Sequence, residues 1–284
     1  MKLCYIVLIH HKFEQAARLL RRLHRDGVSF VVHIDQKVSD EGEATFKGLV
    51  AGLPITYARR ERAQWGSYLQ AAAIMSGIEC AVRSGLDFDR CVILSGQDYP
   101  IASHREIVEF FESNREAEYV EAAELDVMDA SRTDWSPYYR FRRYHVWFGQ
   151  RRVVLPLLRK RPPAFAVFHG ATWWALTRDA LAYVDRAFHE QKKFRRSMRT
   201  GFLVDEVYVP SLLMNSSFAS KVARHNVTFA QWTPTSGPHP KTLRSEDLPA
   251  LLDSPKLFAR KVDESLDAAL LDQLDALHAV DAPA

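Results

Sequence analysis

Asp98 stands just beyond an apolar run, Cys91-Val92-Ile93-Leu94, that breaks at Ser95-Gly96. A carboxylate at the carboxyl end of a buried strand is a common ligand position in an α/β fold. It can face a metal, a sugar or its own backbone. Asp35 closes VVHID in a similar way. There it accepts hydrogen bonds from a ribose or a base edge, or it serves as a turn acid or helix cap. Asp205-Glu206 opens an apolar segment after a glycine-containing loop. Asp205 reads as a helix N-cap. Glu206 either gains from the helix dipole or acts as a general base aimed into a cleft.

Cations cluster late in the chain, Lys241 with Arg244 in HPKTLR and Arg260-Lys261 in LFARKVD. Such pairs lie on a solvated surface or fold back onto a phosphate, where charge-assisted hydrogen bonds are strong. From Arg140 to Arg152, arginines interleave with Tyr144, Trp147 and Phe148. That mixture suits a nucleic acid, a sugar face or a surface loop. Other chemistries are missing. The first apolar run ends in His10-His11-Lys12, without GxGxxG, and there is no Walker A loop. His10 and His11 are adjacent on a strand and should point to opposite faces. With His33 on a second strand and no HxxxH, CxxC or HExxH spacing, a dedicated zinc site is not expected.

The elements that must position these residues alternate in type. LCYIVLI is continuously apolar, as buried parallel strands are. A helix over Glu14–His24 follows, then a strand over Val28–Asp35, a helix over Glu43–Leu53 and a short strand over Pro54–Ala58. A long helix over Ser67–Ser84 leads to a strand over Arg90–Leu94. This order argues for a parallel, doubly wound sheet with right-handed crossovers. The second half is less regular. Helices are expected over Arg105–Ser113, Arg178–Glu190, Asp205–Met214, 246–252 and 264–278. Strands are expected over Glu118–Glu124, Ala171–Leu176 and Val227–Thr233. Residues 125–165 read as a basic, aromatic loop, and SGPHP, residues 236–240, as a break.

The chain has 284 residues, 47% of them hydrophobic, enough for one large core or two small ones. A net charge of +3 from 38 basic and 35 acidic residues does not suggest a general nucleic-acid binder. Cys4, Cys80 and Cys91, odd in number and set in apolar runs, suggest buried, reduced thiols. No apolar run reaches membrane-spanning length and no secretory signal is visible, so a soluble chain is expected, with peripheral membrane attachment left open.

Taken in order, YIVLIHH, VVHIDQK, QWGSYLQ, ILSGQDYPI, HGATWWALTRDALAYV, VDEVYVPSLL and LFARKVD resemble the core-2/I-branching enzyme family of glycosyltransferases. That family includes β-1,6-N-acetylglucosaminyltransferases and peptide O-xylosyltransferases. The likeness runs from about Tyr5 to Asp263. It implies a GT-A-type α/β fold, a mainly parallel sheet flanked by helices. One glycosyltransferase domain would have a nucleotide-binding half over about 1–103 and an acceptor and catalytic half over about 104–284. It also implies a UDP-sugar donor, inversion at the anomeric carbon and no divalent metal or other cofactor. On this likeness Asp35 lies on the uridine side and Glu206 is the catalytic base. Lys261 meets the donor diphosphate, with Lys241, or Arg244 if the loop is shifted, as a second cation. Asp98 lies on the floor of the donor site, contacting the sugar or pinning the turn before Pro100.

On the acceptor side, Trp173 or Tyr144 would stack on a sugar face. Trp174 belongs to the core. Arg143 would bind an anionic or polyol acceptor. HVWFGQRRVVLP and Trp65-Gly66 look more like the xylosyltransferase branch, yet Thr172 stands where peptide xylosyltransferases would carry an acid. A bacterial-type cytoplasmic enzyme, acting on a glycan or a lipid-linked saccharide, fits better than one acting on protein serine. GlcNAc and xylose both remain open as the transferred sugar. The competing expectation is a sugar-nucleotide or glycan-binding module without turnover. A nucleic-acid binder built on residues 140–152 is the weaker third.

Overall fold

A computed structural model describes residues 1–125, 137–158, 165–233, 237 and 239–278. Part of the stretch read as a loop (126–136 and 159–164), residues 234–235, residues 236 and 238 of the break, and residues 279–284 lie outside the described residues.

The central sheet is built in the first half. Strand β1 (Leu3–Ile9) pairs in parallel with β2 (Val28–Ile34) and β4 (Arg90–Ser95), and β2 with β3 (Ile55–Tyr57). Helices α1 (Phe13–Leu23), α2 (Asp40–Leu49) and α3 (Tyr68–Arg83) are the crossovers. Every residue of β1 is buried. Alternate side chains enter different cores, as the two-residue period of a strand requires. Leu3, Tyr5 and Val7 pack with Leu20 of α1 and with Phe258 and Leu270 from the chain's end. Cys4, Ile6 and Leu8 pack with Ile74 and Ile78 of α3 and with Val184 and Leu212. A side chain at Gly77 would bring its Cβ within 2.6 Å of Ile6, so the glycine lets α3 lie close on β1. All three cysteines are free; Cys4 and Cys91 are buried and Cys80 is half-buried.

The second half supports the sheet's carboxyl edge. A short β5 (Asp98–Pro100) and helix α4 (His104–Ser113) follow β4; Ser103 and Glu106 form a capping box. The expected strand over Glu118–Glu124 is reduced to isolated bridges at Glu118 and Tyr119 and a two-residue β6 (Ala123–Glu124). Helix α5 (Pro137–Arg142) leads into a hairpin, β7 (Arg143–Phe148) and β8 (Arg151–Leu158), where the sequence suggested a loop. Gly149, at φ +59°, allows its tight turn. Then come β9 (Phe168–His169), paired with β6, and β10 (Ala175–Thr177), which runs antiparallel to β4. Helices α6 (Arg178–Glu190) and α8 (Asp205–Met214) match expectation, with an unanticipated α7 (Lys192–Met198) between them. Strands β11 (Thr228–Ala230) and β12 (Phe258–Arg260) join β5 in a small three-stranded sheet. Helices α9 (Leu248–Leu252) and α10 (Ala268–Leu277) complete the chain.

Candidate active site

A cleft of about 1040 Å³ opens where the carboxyl ends of β1, β2 and β4 meet the start of α8 and the end of β12. The carboxyl edge of a parallel sheet is the ordinary place for a ligand in such folds. Asp35, Thr172, Trp173, Glu206 and Lys261 all line it.

Glu206 sits in the first turn of α8, whose amino end faces the cleft wall. Its Oε2 accepts a hydrogen bond from Arg140 Nη1 at 2.7 Å. Burial and the neighbouring Asp205 charge push its carboxyl up to about 7, with Arg140 opposing the shift. A carboxyl poised near neutrality is suited to taking a proton. Asp205 is not the helix cap that the sequence suggested. Val204 holds the cap position, and Asp205 Oδ2 accepts from the Thr172 hydroxyl at 2.9 Å. Burial raises the Asp205 carboxyl as well.

Glu121 is a third carboxylate on the same wall. It accepts from Asn226 Nδ2 at 2.6 Å and from the Ala171 amide at 3.0 Å. The Gly170 amide donates to the Glu206 carbonyl at 2.8 Å. A Cβ at Gly170 would lie 2.0 Å from the Glu121 carbonyl oxygen, so only glycine permits this approach. Among the described residues, no group of three or more His, Cys, Asp or Glu side chains could hold a metal ion.

On the opposite side of the site, Asp35 is 3% exposed and follows β2 directly. Its Oδ1 accepts from the Lys37 amide at 2.8 Å, so it holds a turn as well as lining the cleft. His33 is buried and accepts from the Glu61 amide through Nε2 at 2.9 Å. Burial lowers its pKa to about 4, which keeps it a neutral acceptor. His10 and His11 do not diverge. The strand ends at Ile9, and their rings stack with centroids 4.0 Å apart.

Asp98 lies beneath the cleft and does not reach it. It is wholly buried and accepts from Arg260 Nη1 at 2.9 Å and from the Ser95 hydroxyl at 2.6 Å. The turn-pinning role is therefore the one its contacts fill, and a sugar contact would need solvent access that it lacks. Burial pushes its carboxyl up, against the opposing charge of Arg260. Arg260 in turn lies over the Trp173 ring, 3.6 Å from its centroid. Trp173 thus uses one face on a cation, whereas Trp174 is 1% exposed in the core. Lys261, next to this ion pair, is half-buried; burial and Arg260 lower its pKa.

Four expected ligands lie elsewhere. Lys241 donates to Asp247 at 2.7 Å and pairs with Glu246 at 3.5 Å, because acids in the following turn offer a local partner. Arg244 is exposed at the start of that turn, its amide bonded to Asp247. Arg143 and Tyr144 belong to the hairpin, with Arg143 over the Tyr139 ring at 4.7 Å and Tyr144 paired with Leu155. None of these four lines the cleft. Residues that the sequence did not single out do: Glu121, Arg140, Asn226, Lys256 and Trp232. For Glu121, Arg140 and Lys256 a charge was the only signal; Asn226 and Trp232 carried none.

A family model described as Core-2/I-Branching enzyme matches residues 3–252. A beta-glucuronosyltransferase of Arabidopsis thaliana is 24% identical over 276 residues, covering 91% of this chain and 62% of its own. An N-acetyllactosaminide beta-1,6-N-acetylglucosaminyl-transferase of Mus musculus is 23% identical over 188 residues, covering 65% of this chain and 46% of its own. Human xylosyltransferase 2 is 22% identical over 297 residues, covering 97% of this chain and 33% of its own. The chain therefore spans under two thirds of the length of these relatives. Among solved structures, 4-diphosphocytidyl-2C-methyl-D-erythritol synthase of Anaerococcus prevotii aligns with 77% of the chain at a TM-score of 0.35 and 10% identity.

Proposed function

The chain belongs to the core-2/I-branching enzyme family, and from that premise we propose that it transfers a sugar from a UDP-sugar to a hydroxyl of a saccharide or glycoconjugate, with inversion and without a divalent metal. The observation that carries this reading is Glu206, a carboxyl of pKa about 7 on the wall of the cleft, bonded to Arg140. An inverting transfer is one displacement. The acceptor oxygen forms a bond to the anomeric carbon as the bond to the diphosphate oxygen breaks. The acceptor proton passes to Glu206, and the diphosphate leaves with the electron pair. Its growing charge needs a fixed cation, and Lys261 is the lysine of the FARK segment on the cleft wall.

Asp35, at the carboxyl edge of β2, would accept from the uridine moiety. Trp173 and Trp232 offer aromatic surface to a sugar ring. The names of the relatives favour GlcNAc, xylose or glucuronic acid as the transferred group. In this reading the enzyme works in the cytoplasm on a glycan or a lipid-linked saccharide. The competing reading is a binding module on the same fold.

UDP release measured across a panel of donors, with and without EDTA, tests the proposal. Release with one donor, unaffected by EDTA and lost in Glu206→Gln while donor binding persists, is the expected result. Release abolished by EDTA and restored by manganese would overturn the metal-free displacement. No release with any donor, and donor binding indifferent to Glu206→Gln, would favour the binding module.

A further inference from the structure

The β7–β8 hairpin and the segment around α7 share one side of the molecule. The His145 amide of β7 donates to the Thr200 carbonyl at 2.8 Å, and Arg152 of β8 lies over the Phe202 ring at 3.8 Å. Residues 140–158 and 191–204 together carry ten Lys or Arg and no Asp or Glu. The whole chain has a net charge of only +3, so everything else sums to −7. The positive charge is therefore concentrated on this side. Lys192, Lys193, Arg196 and Arg151 are exposed there.

The same side carries apolar surface. Strand register places Val146 opposite Val153 and Phe148 opposite Arg151, on the face of the ribbon turned away from buried His145. Phe148 is 66% exposed, Leu157 60% and Leu158 58%. Two-stranded ribbons are marginal alone. We infer that this face docks on an anionic lipid bilayer, with Phe148 and Leu157 entering the headgroup boundary and the α7 cations meeting lipid phosphate. Apolar anchors flanked by Lys and Arg are the pattern that binds such surfaces.

The other occupants fit less well. A second copy, docked by twofold symmetry, would set the same positive charges against each other. A nucleic acid would match the charge but leave two exposed leucines with nothing to stack on. The face also adjoins the cleft. Gln64 Nε2 donates to the Gly149 carbonyl at the hairpin turn, and neighbouring Trp65 lines the cleft and packs on Phe202. A docked protein would thus hold the cleft near the membrane, where a lipid-linked acceptor would lie if the proposed transfer is right.

Co-sedimentation with phosphatidylcholine vesicles, with and without about 30 mol% phosphatidylglycerol, tests this without using transfer activity. Pelleting is expected only with the anionic vesicles, and to be lost at about 0.5 M salt. Lys192→Glu with Lys193→Glu should weaken it at least about tenfold, and so should Phe148→Glu with Leu157→Glu. Far-ultraviolet circular dichroism checks that both variants fold. Failure to pellet with anionic vesicles at low salt, equal pelleting with phosphatidylcholine alone, or binding that survives both variants would overturn the inference. So would a dimer in sedimentation velocity that Phe148→Glu splits, or retention of a nucleic acid that excludes vesicles.

Discussion

Arg260 and Asp98 form an ion pair at 2.9 Å in the interior, with Asp98 wholly buried and Arg260 8% exposed. The pair joins β12 to the turn after β4, and the arginine also seats Trp173. Removing one partner leaves the other charge buried and uncompensated, which costs on the order of 3–5 kcal/mol. Asp98→Asn should lower stability by that amount in urea unfolding. Asp98→Asn combined with Arg260→Met should recover part of the loss, since no stranded charge then remains. Single and double variants of equal stability would contradict the assignment.

Lys261 follows this pair directly and faces the cleft. If it meets a leaving diphosphate, Lys261→Met should reduce turnover by about 100- to 1000-fold, the range for losing one preorganised donor. Stability should change little, because the side chain is only half-buried. Lys241→Met should cost far less activity, since Lys241 is held by Asp247 outside the cleft. Steady-state UDP release for the two variants decides the order. Equal losses would bring Lys241 back to the donor.

The contrast between these lysines shows what the sequence made legible. Spacing could not tell a cation that turns back to a local acid from one that faces a cleft. Strands β1, β2 and β4 were readable because burial on both faces makes them continuous apolar runs. The β7–β8 ribbon was not, because arginines and aromatics occupy both of its faces. Glu121 and Arg140 stayed hidden for another reason. Their roles depend on partners 105 and 66 residues away, Asn226 and Glu206. Asp35 and Glu206 were visible because a strand end and a helix start mark them locally.

Gly170 is a position where the fold itself limits the site. Its missing side chain lets β9 approach the Glu121 backbone, and its amide holds the Glu206 carbonyl. Gly170→Ala would force apart the segments that carry both carboxylates. Overpacking of this kind costs about 1–3 kcal/mol. Melting temperature should fall, and turnover should fall further than the folded fraction explains. An alanine variant with unchanged melting temperature and rate would show that the two segments separate freely.

Arg140 and Asp205 act on Glu206 in opposite senses, and this gives the sharpest pH test. The Glu206 carboxyl is raised from 4.5 to about 7, chiefly by burial, then by Asp205. A base must be ionised to work, so the rate should climb with pH, roughly tenfold per unit below about 7, and level off above it. Arg140→Gln removes the cation that favours the ionised form and should move the rising limb to higher pH. Asp205→Asn removes a like charge, keeps an acceptor for Thr172, and should move the limb to lower pH. Stability responds with its own sign. A carboxyl raised on folding stabilises the folded chain fully below about pH 4.5, and that contribution is lost as pH rises through about 7. Glu206→Gln should therefore flatten the fall in stability between those values. Limbs that shift in the same direction in Arg140→Gln and Asp205→Asn would rule out Glu206 as the titrating base.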